Sequence, residues 1–149
     1  MNLKPLINLD LEIGFIGIII AYGLSLFFLY TRKKKWMPAK LVWAICIALS
    51  IVAIIGISNT EALQKEKLLM FHGFYVPLIY WSFDRIFKQL SLRFQKRDFL
   101  LYLRKSGDIN DGPFNYKNPQ VKMLDIVFSF GLVAIIVLSI FIGVYFIQQ

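Results

Sequence analysis

The sequence predicts an all-α integral membrane protein: a four-transmembrane-helix bundle with a small cytoplasmic cap formed by the loop between helices 3 and 4. Three observations carry that prediction. Hydrophobic types make up 58% of the chain and charged types 17%, against roughly 45–50% apolar for soluble domains even when glycine is counted. A chain of 149 residues has too high a surface-to-volume ratio to hide that much apolar surface in a core of its own. Finally, long runs without Asp, Glu, Lys or Arg recur four times, and lysine and arginine gather in two of the connections between them. The same composition excludes a cytosolic enzyme, a disulfide scaffold and a disordered tail.

A helix crossing the hydrocarbon needs about 20 mostly apolar residues. Charge-free stretches lie at 13–31 (19 residues), 41–58 (18, ahead of the polar Asn59 and Thr60), 68–83 (16) and 126–149 (24). With their interfacial turns these become spans at 11–31, 39–58, 67–87 and 120–147, with a cytoplasmic loop over 88–118, all in a single membrane domain, 1–149. The third run is the shortest and contains His72, Gly73 and Pro77. It reaches full length only if Asp84 and Arg85 lie at the interface, where a long cationic side chain can snorkel.

Punctuation fits these boundaries. Pro38 precedes the second span and Pro119 the fourth; proline suits a first helical position because its missing N–H has no helical partner there. Asn118 is a candidate N-cap. Trp36, Trp43, Tyr80 and Trp81 fall near the expected inner boundary, where amphipathic rings favour the headgroup zone. Cys46, the lone cysteine, lies mid-span and reads as a small core or lipid-facing residue.

Orientation follows from the cation count. With four spans and both ends outside, the first loop (Arg32, Lys33, Lys34, Lys35 and Lys40) and the third loop place 14 cations inside, against 3 outside: Lys4, Lys65 and Lys67. A three-span alternative manages only 12 against 5 and exports the Arg32–Lys35 cluster. The expected location is the cell inner (cytoplasmic) membrane of a bacterium, multi-pass, with both termini on the outer, periplasmic side. The start of the chain lacks a basic region ahead of its apolar run, so the first span reads as a reverse signal anchor rather than a cleaved signal.

Inside lipid, helices associate through close backbone approach and interhelical hydrogen bonds. Gly17, Ala21 and Ser25 recur every four residues in the first span and form a candidate packing ridge; Ala44 with Ala48 and Ser139 with Gly143 are shorter versions. Polar groups are costly in hydrocarbon, which singles out His72 and Asp84 of the third span as intramembrane polar residues. Pro77 between them is expected to kink the helix.

The loop after the third span is too long for a plain connector. Phe83, Ile86 or Phe87, Leu90 and Phe94 recur at spacings of three and four, so the third helix is expected to continue about two turns beyond the membrane. Residues 99–103 (Phe-Leu-Leu-Tyr-Leu) form an apolar run that reads as a strand or a short helix. The basic and aromatic residues Phe94, Arg97, Phe99, Leu101, Tyr102 and Arg104 form the candidate partner-binding surface, on the ground that an apolar patch with a basic rim resembles an interface. The competing reading packs the apolar members against the floor of the bundle. The cations also suit the anionic inner leaflet. Nucleic acid is not expected, because the net charge of +8 is mainly a topology signal.

Catalytic constellations are missing. One His and one Cys lie far apart, without metal-ligand spacing, a Gly-rich phosphate loop or a nucleophile motif. The sequence therefore predicts no enzyme, no cofactor and no metal site. The favoured function is a subunit of, or anchor for, a larger membrane assembly, with a protein partner, a homo-oligomer or both. One alternative is a bacterial immunity protein against a pore-forming toxin, a role that short, basic, three- or four-span proteins of the colicin-immunity type fill; the likeness is one of size and layout. A further alternative is an oligomeric channel or pore-forming effector.

Overall fold

A computed structural model of the chain describes residues 4–60, 65–103 and 121–148. Among the described residues the protein is all-helical, without strands: α1 (Lys4–Thr31), α2 (Ala39–Ser58), α3 (Lys65–Gly73), α4 (Val76–Gln95) and α5 (Met123–Gln148). Two stretches are long and apolar enough to cross a membrane. These are α2, with mean hydropathy 2.7, and Met123–Tyr145 of α5, with mean hydropathy 2.8. Phe15–Thr31 of α1 is a shorter apolar stretch.

α2 begins and ends where the apolar run does. Its polar residues are neutralised locally. Ser50 donates to the Cys46 carbonyl at 2.8 Å, and Asn59 and Thr60 donate to the Ile55 and Gly56 carbonyls at 2.9 and 2.6 Å. The Ile55 carbonyl also takes the Asn59 N–H at 3.2 Å, while the Thr60 hydroxyl serves Gly56, one of the carbonyls that a helix C-terminus leaves without a helical donor. Cys46 is buried within the chain.

The third expected span is two helices, not one kinked helix. Pro77 has no N–H to offer the Gly73 carbonyl, and its ring crowds that position. The chain instead closes tight turns, with Phe74 N–H on Phe71 O at 3.1 Å and Tyr75 N–H on His72 O at 2.9 Å. α4 then starts afresh, Leu78 and Ile79 both donating to Tyr75 O. Pro77 thus falls in a first turn, where its missing donor costs nothing. α4 continues to Gln95 and stops at Lys96, whose φ of 58° lies in the left-handed region. Its N–H reaches back to Leu92 O at 3.1 Å, the closing bond of a left-handed C-cap.

The chain divides into two compact units, Met1–Trp81 with Ile136–Gln149, and Ser82–Ile135. In the first, α3 packs on α1 and α2. Gly17 and Gly73 make the α1–α3 contact possible: a Cβ on Gly17 would collide with the Met70 backbone, and one on Gly73 with the Gly17 carbonyl. Further along, Phe28 meets Trp81 edge-on with ring centroids 6.4 Å apart. α1 and the α3–α4 segment therefore advance in the same direction. α2 returns against α1, since Gly56 lies at the Phe71 ring, one residue from Met70, and only residues 32–38 join the two helices. Tyr80 and Trp81, expected near the inner boundary, are buried within the chain rather than exposed. Trp36 remains outside, 62% exposed, beside Phe27.

Four variants have defined outcomes in thermal unfolding of the purified protein in mild detergent. Gly17→Ala lowers stability by about 1–3 kcal/mol, the range for overpacking a tight contact. Gly23→Ala, with open space around its Cβ position, is neutral or stabilising by up to about 1 kcal/mol. Lys96→Gly is neutral or stabilising by up to about 1 kcal/mol, while Lys96→Val costs about 1 kcal/mol or more, because a β-branched residue resists positive φ.

Candidate functional site

The most densely bonded polar cluster lies in the unit Ser82–Ile135, where the chain leaves α4, runs extended over 97–103 and meets the first turns of α5. α5 starts at Met123, later than the expected 120; Val121 and Lys122 are not helical. Asp125 thus occupies the third helical position. Its Oδ2 accepts the Lys122 N–H at 2.8 Å, the carboxylate half of a capping box. The same oxygen takes Arg97 Nη2 at 2.6 Å, and Oδ1 takes the Leu100 N–H at 3.1 Å. Asp125 is fully buried, while the Arg97 side chain is 31% exposed.

One turn later Ser129 repeats the arrangement. Its hydroxyl donates to the Asp125 carbonyl at 2.6 Å and accepts the Tyr102 N–H at 2.8 Å. The spacing has a simple cause. Residues i and i+4 of a helix are about 6 Å apart along the axis, and alternate residues of an extended chain about 6.6 Å. Asp125 and Ser129 therefore match the amides of Leu100 and Tyr102, which point the same way. Ser91 of α4 fixes the other end, donating to the Arg97 carbonyl at 2.8 Å. Beneath the strap Phe128 stacks on Phe87 with centroids 5.0 Å apart and takes Phe99 edge-on at 5.6 Å.

This geometry redistributes the candidate partner-binding residues. Phe94 is on the surface, 67% exposed. Phe99, Leu101 and Tyr102 are buried, so they do not form the contiguous exposed patch expected from the sequence. The reason is the strap: once its amides are bound to α5, its apolar side chains pack inward. Arg97 is committed to Asp125. Arg104 lies outside the described residues. The run 99–103 is neither strand nor helix.

The other singled-out residues fall elsewhere. Gly17, Ala21 and Ser25 are all buried, on the face of α1 where Gly17 meets α3. His72, at the end of α3, has Nε2 3.1 Å from the Ser139 carbonyl, with its ring against Gly143. Asp84 is fully buried and paired with Arg85, whose Nη2 lies 2.5 Å from Oδ2. Among the described residues no three His, Cys, Asp or Glu side chains converge as a metal site.

Asp125 and Ser129 were not singled out by sequence. The available signal was a carboxylate within an apolar run, Lys-Met-Leu-Asp-Ile-Val-Phe-Ser. Comparison with protein-family models, curated proteins and solved structures found no match.

The network sets an order of mutational effects, measurable by thermal unfolding in detergent. Asp125→Asn leaves one acceptor oxygen for donors that now use two, and costs about 2 kcal/mol. Ser129→Ala strands the Tyr102 N–H and costs about 1–2 kcal/mol. Lys88→Ala breaks only a half-exposed 3.6 Å pair with Asp98 and changes stability by less than about 0.5 kcal/mol.

Proposed function

We propose that this chain is a non-enzymatic, multi-pass membrane protein that acts as a subunit of, or anchor for, a larger membrane assembly. One observation carries the membrane part. The apolar stretches of α2 and α5 are not core helices: only 22% and 28% of them is buried. Ile47, Ile51 and Ile55 of α2 and Phe130, Phe141 and Tyr145 of α5 stand outward. Water around such surfaces is costly, at roughly 25 cal/mol per Å²; acyl chains remove that cost.

The proposed topology has four passes, the third provided by α3 and α4 in succession. The alternation of α1, α2 and α3 within their unit supports it: the first and third run parallel and the second returns. A break within a span is tolerated where neighbouring helices cover it, and here Gly73 is pressed against α1. Both termini are then outside, and the clusters around Lys34 and Arg93 are inside.

The anchoring role is supported by what α4 leaves uncovered. Phe83, Ile86 and Phe94 are exposed along one face of the helix, while the strap behind it is held by Asp125 and Ser129. An uncovered apolar face on a well-braced element suits a partner.

Topology is tested by thiol labelling in cells, with single cysteines at Lys34 and Arg93 in a Cys46→Ala background. Both are expected to react with an impermeant reagent only after the membrane is opened; labelling from opposite sides overturns the topology. Recovery of the protein in the supernatant after ultracentrifugation overturns the membrane reading. For the assembly role, Phe94→Ser is expected to release proteins that co-purify with the wild type in mild detergent, without lowering its unfolding temperature. An unchanged set of co-purifying proteins removes the support from Phe94.

A further inference from the structure

The acidic residues described in the unit Ser82–Ile135 are all committed: Asp84 to Arg85, Asp98 to Lys88 and Asp125 to Arg97. Arg93, Lys96 and Lys122 are exposed, and among the described residues they make no ion pair. Lys122 is distant in sequence from Arg93 and Lys96, yet Asp125 brings the two segments together. It binds the Arg97 guanidinium, next to Lys96, and the Lys122 N–H through one oxygen. Arg93 is one turn back on α4. Among the described residues of the unit, the cations without an acid thus belong to the two segments that Asp125 joins, the end of α4 and the start of α5. Met123, adjacent to Lys122, is 81% exposed, so an apolar side chain stands beside the cations.

We propose that this junction is a seat for anionic phospholipid, with Arg93, Lys96 and Lys122 around the headgroup phosphate and Met123 against the acyl chain. The proposal rests on the membrane reading above and adds a ligand to it. Charge complementarity selects an anion. Met123 selects a lipid over free phosphate, which would leave that side chain in water. The position agrees, because Lys122 and Met123 stand at the start of the apolar stretch of α5, where a bilayer passes from headgroups to hydrocarbon. Lys96 is held in place by its own backbone, since the left-handed cap fixes where its side chain emerges.

The test uses the full chain in mixed micelles, titrated with phosphatidylglycerol or phosphatidylcholine and read by native mass spectrometry as bound lipid. The wild type is expected to prefer phosphatidylglycerol. The triple variant Arg93→Gln, Lys96→Asn, Lys122→Gln is expected to weaken that binding on the order of 100-fold, from about one lipid-surface charge contribution per residue. Arg93→Lys with Lys122→Arg should retain it, and Lys34→Gln with Lys35→Gln should leave it within a few-fold.

Equal binding of the two lipids by the wild type overturns the proposal, as does an unchanged triple variant. An equal loss in the Lys34/Lys35 variant also does so, because it would mean diffuse charge rather than a seat. Competition by millimolar inorganic phosphate that abolishes lipid binding would reassign the junction to free phosphate. A co-purifying acidic protein displaced by the triple variant, with lipid preference unchanged, would reassign it to a protein partner. Sedimentation of the protein with membranes, measured alongside, separates failure of this site from failure of the membrane reading.

Discussion

Asp125 stands where a long apolar helix begins, and its two carboxylate oxygens serve three donors: a guanidinium, the amide of the helix's own N-cap and an amide of the extended strap. A buried carboxylate is tolerable only when charged and neutral donors saturate it, and here they do. In return it determines much of its surroundings. It sets the start of α5 at Met123, brings the end of α4 to that start, and aligns the strap so that Ser129 can take the next available amide. The burial of Phe99, Leu101 and Tyr102 follows from that alignment.

The same demand for backbone satisfaction shapes the other unit in a different way. Pro77 cannot close a helical bond to Gly73, so the chain divides into α3 and α4 and completes its bonds through turns at Phe71 and His72. A broken helix has to be held by its neighbours. Gly17 and Gly73 allow backbone to meet backbone, and Gly143 leaves room for the His72 ring. Small residues in this protein therefore sit where close approach is required, and Gly23, which meets nothing, shows that the requirement is local.

Charge is divided along comparable lines. The described acids of the strap unit each hold a cation: Asp84 holds Arg85 and Asp125 holds Arg97, both from full burial, while Asp98 holds Lys88 only loosely. Among the described residues of that unit, Arg93, Lys96 and Lys122 are the cations left without an acid. A basic sequence is thus not uniformly basic as a surface, and its unpaired described cations are not those that an inspection of aromatic and basic neighbours selects.

Much of the helical layout was legible in the sequence because it depends on local quantities. The apolar run of α2 fixes its ends, and the spacing from Phe83 to Phe94 carries α4 past the expected end of its span; Pro77 marked the irregularity before α4 only as a kink, where the structure has a break. The four-residue recurrence of Gly17, Ala21 and Ser25 likewise marks a face, because it depends only on helical periodicity. What lay beyond reach depends on contacts between distant segments. No local pattern states that Leu100 and Tyr102 will find Asp125 and Ser129, since the match of a helical turn to two extended residues exists only once both are folded. That pairing decided that three aromatic and aliphatic residues of the strap are buried, that Arg97 is committed, and that the chain after α4 meets the start of α5.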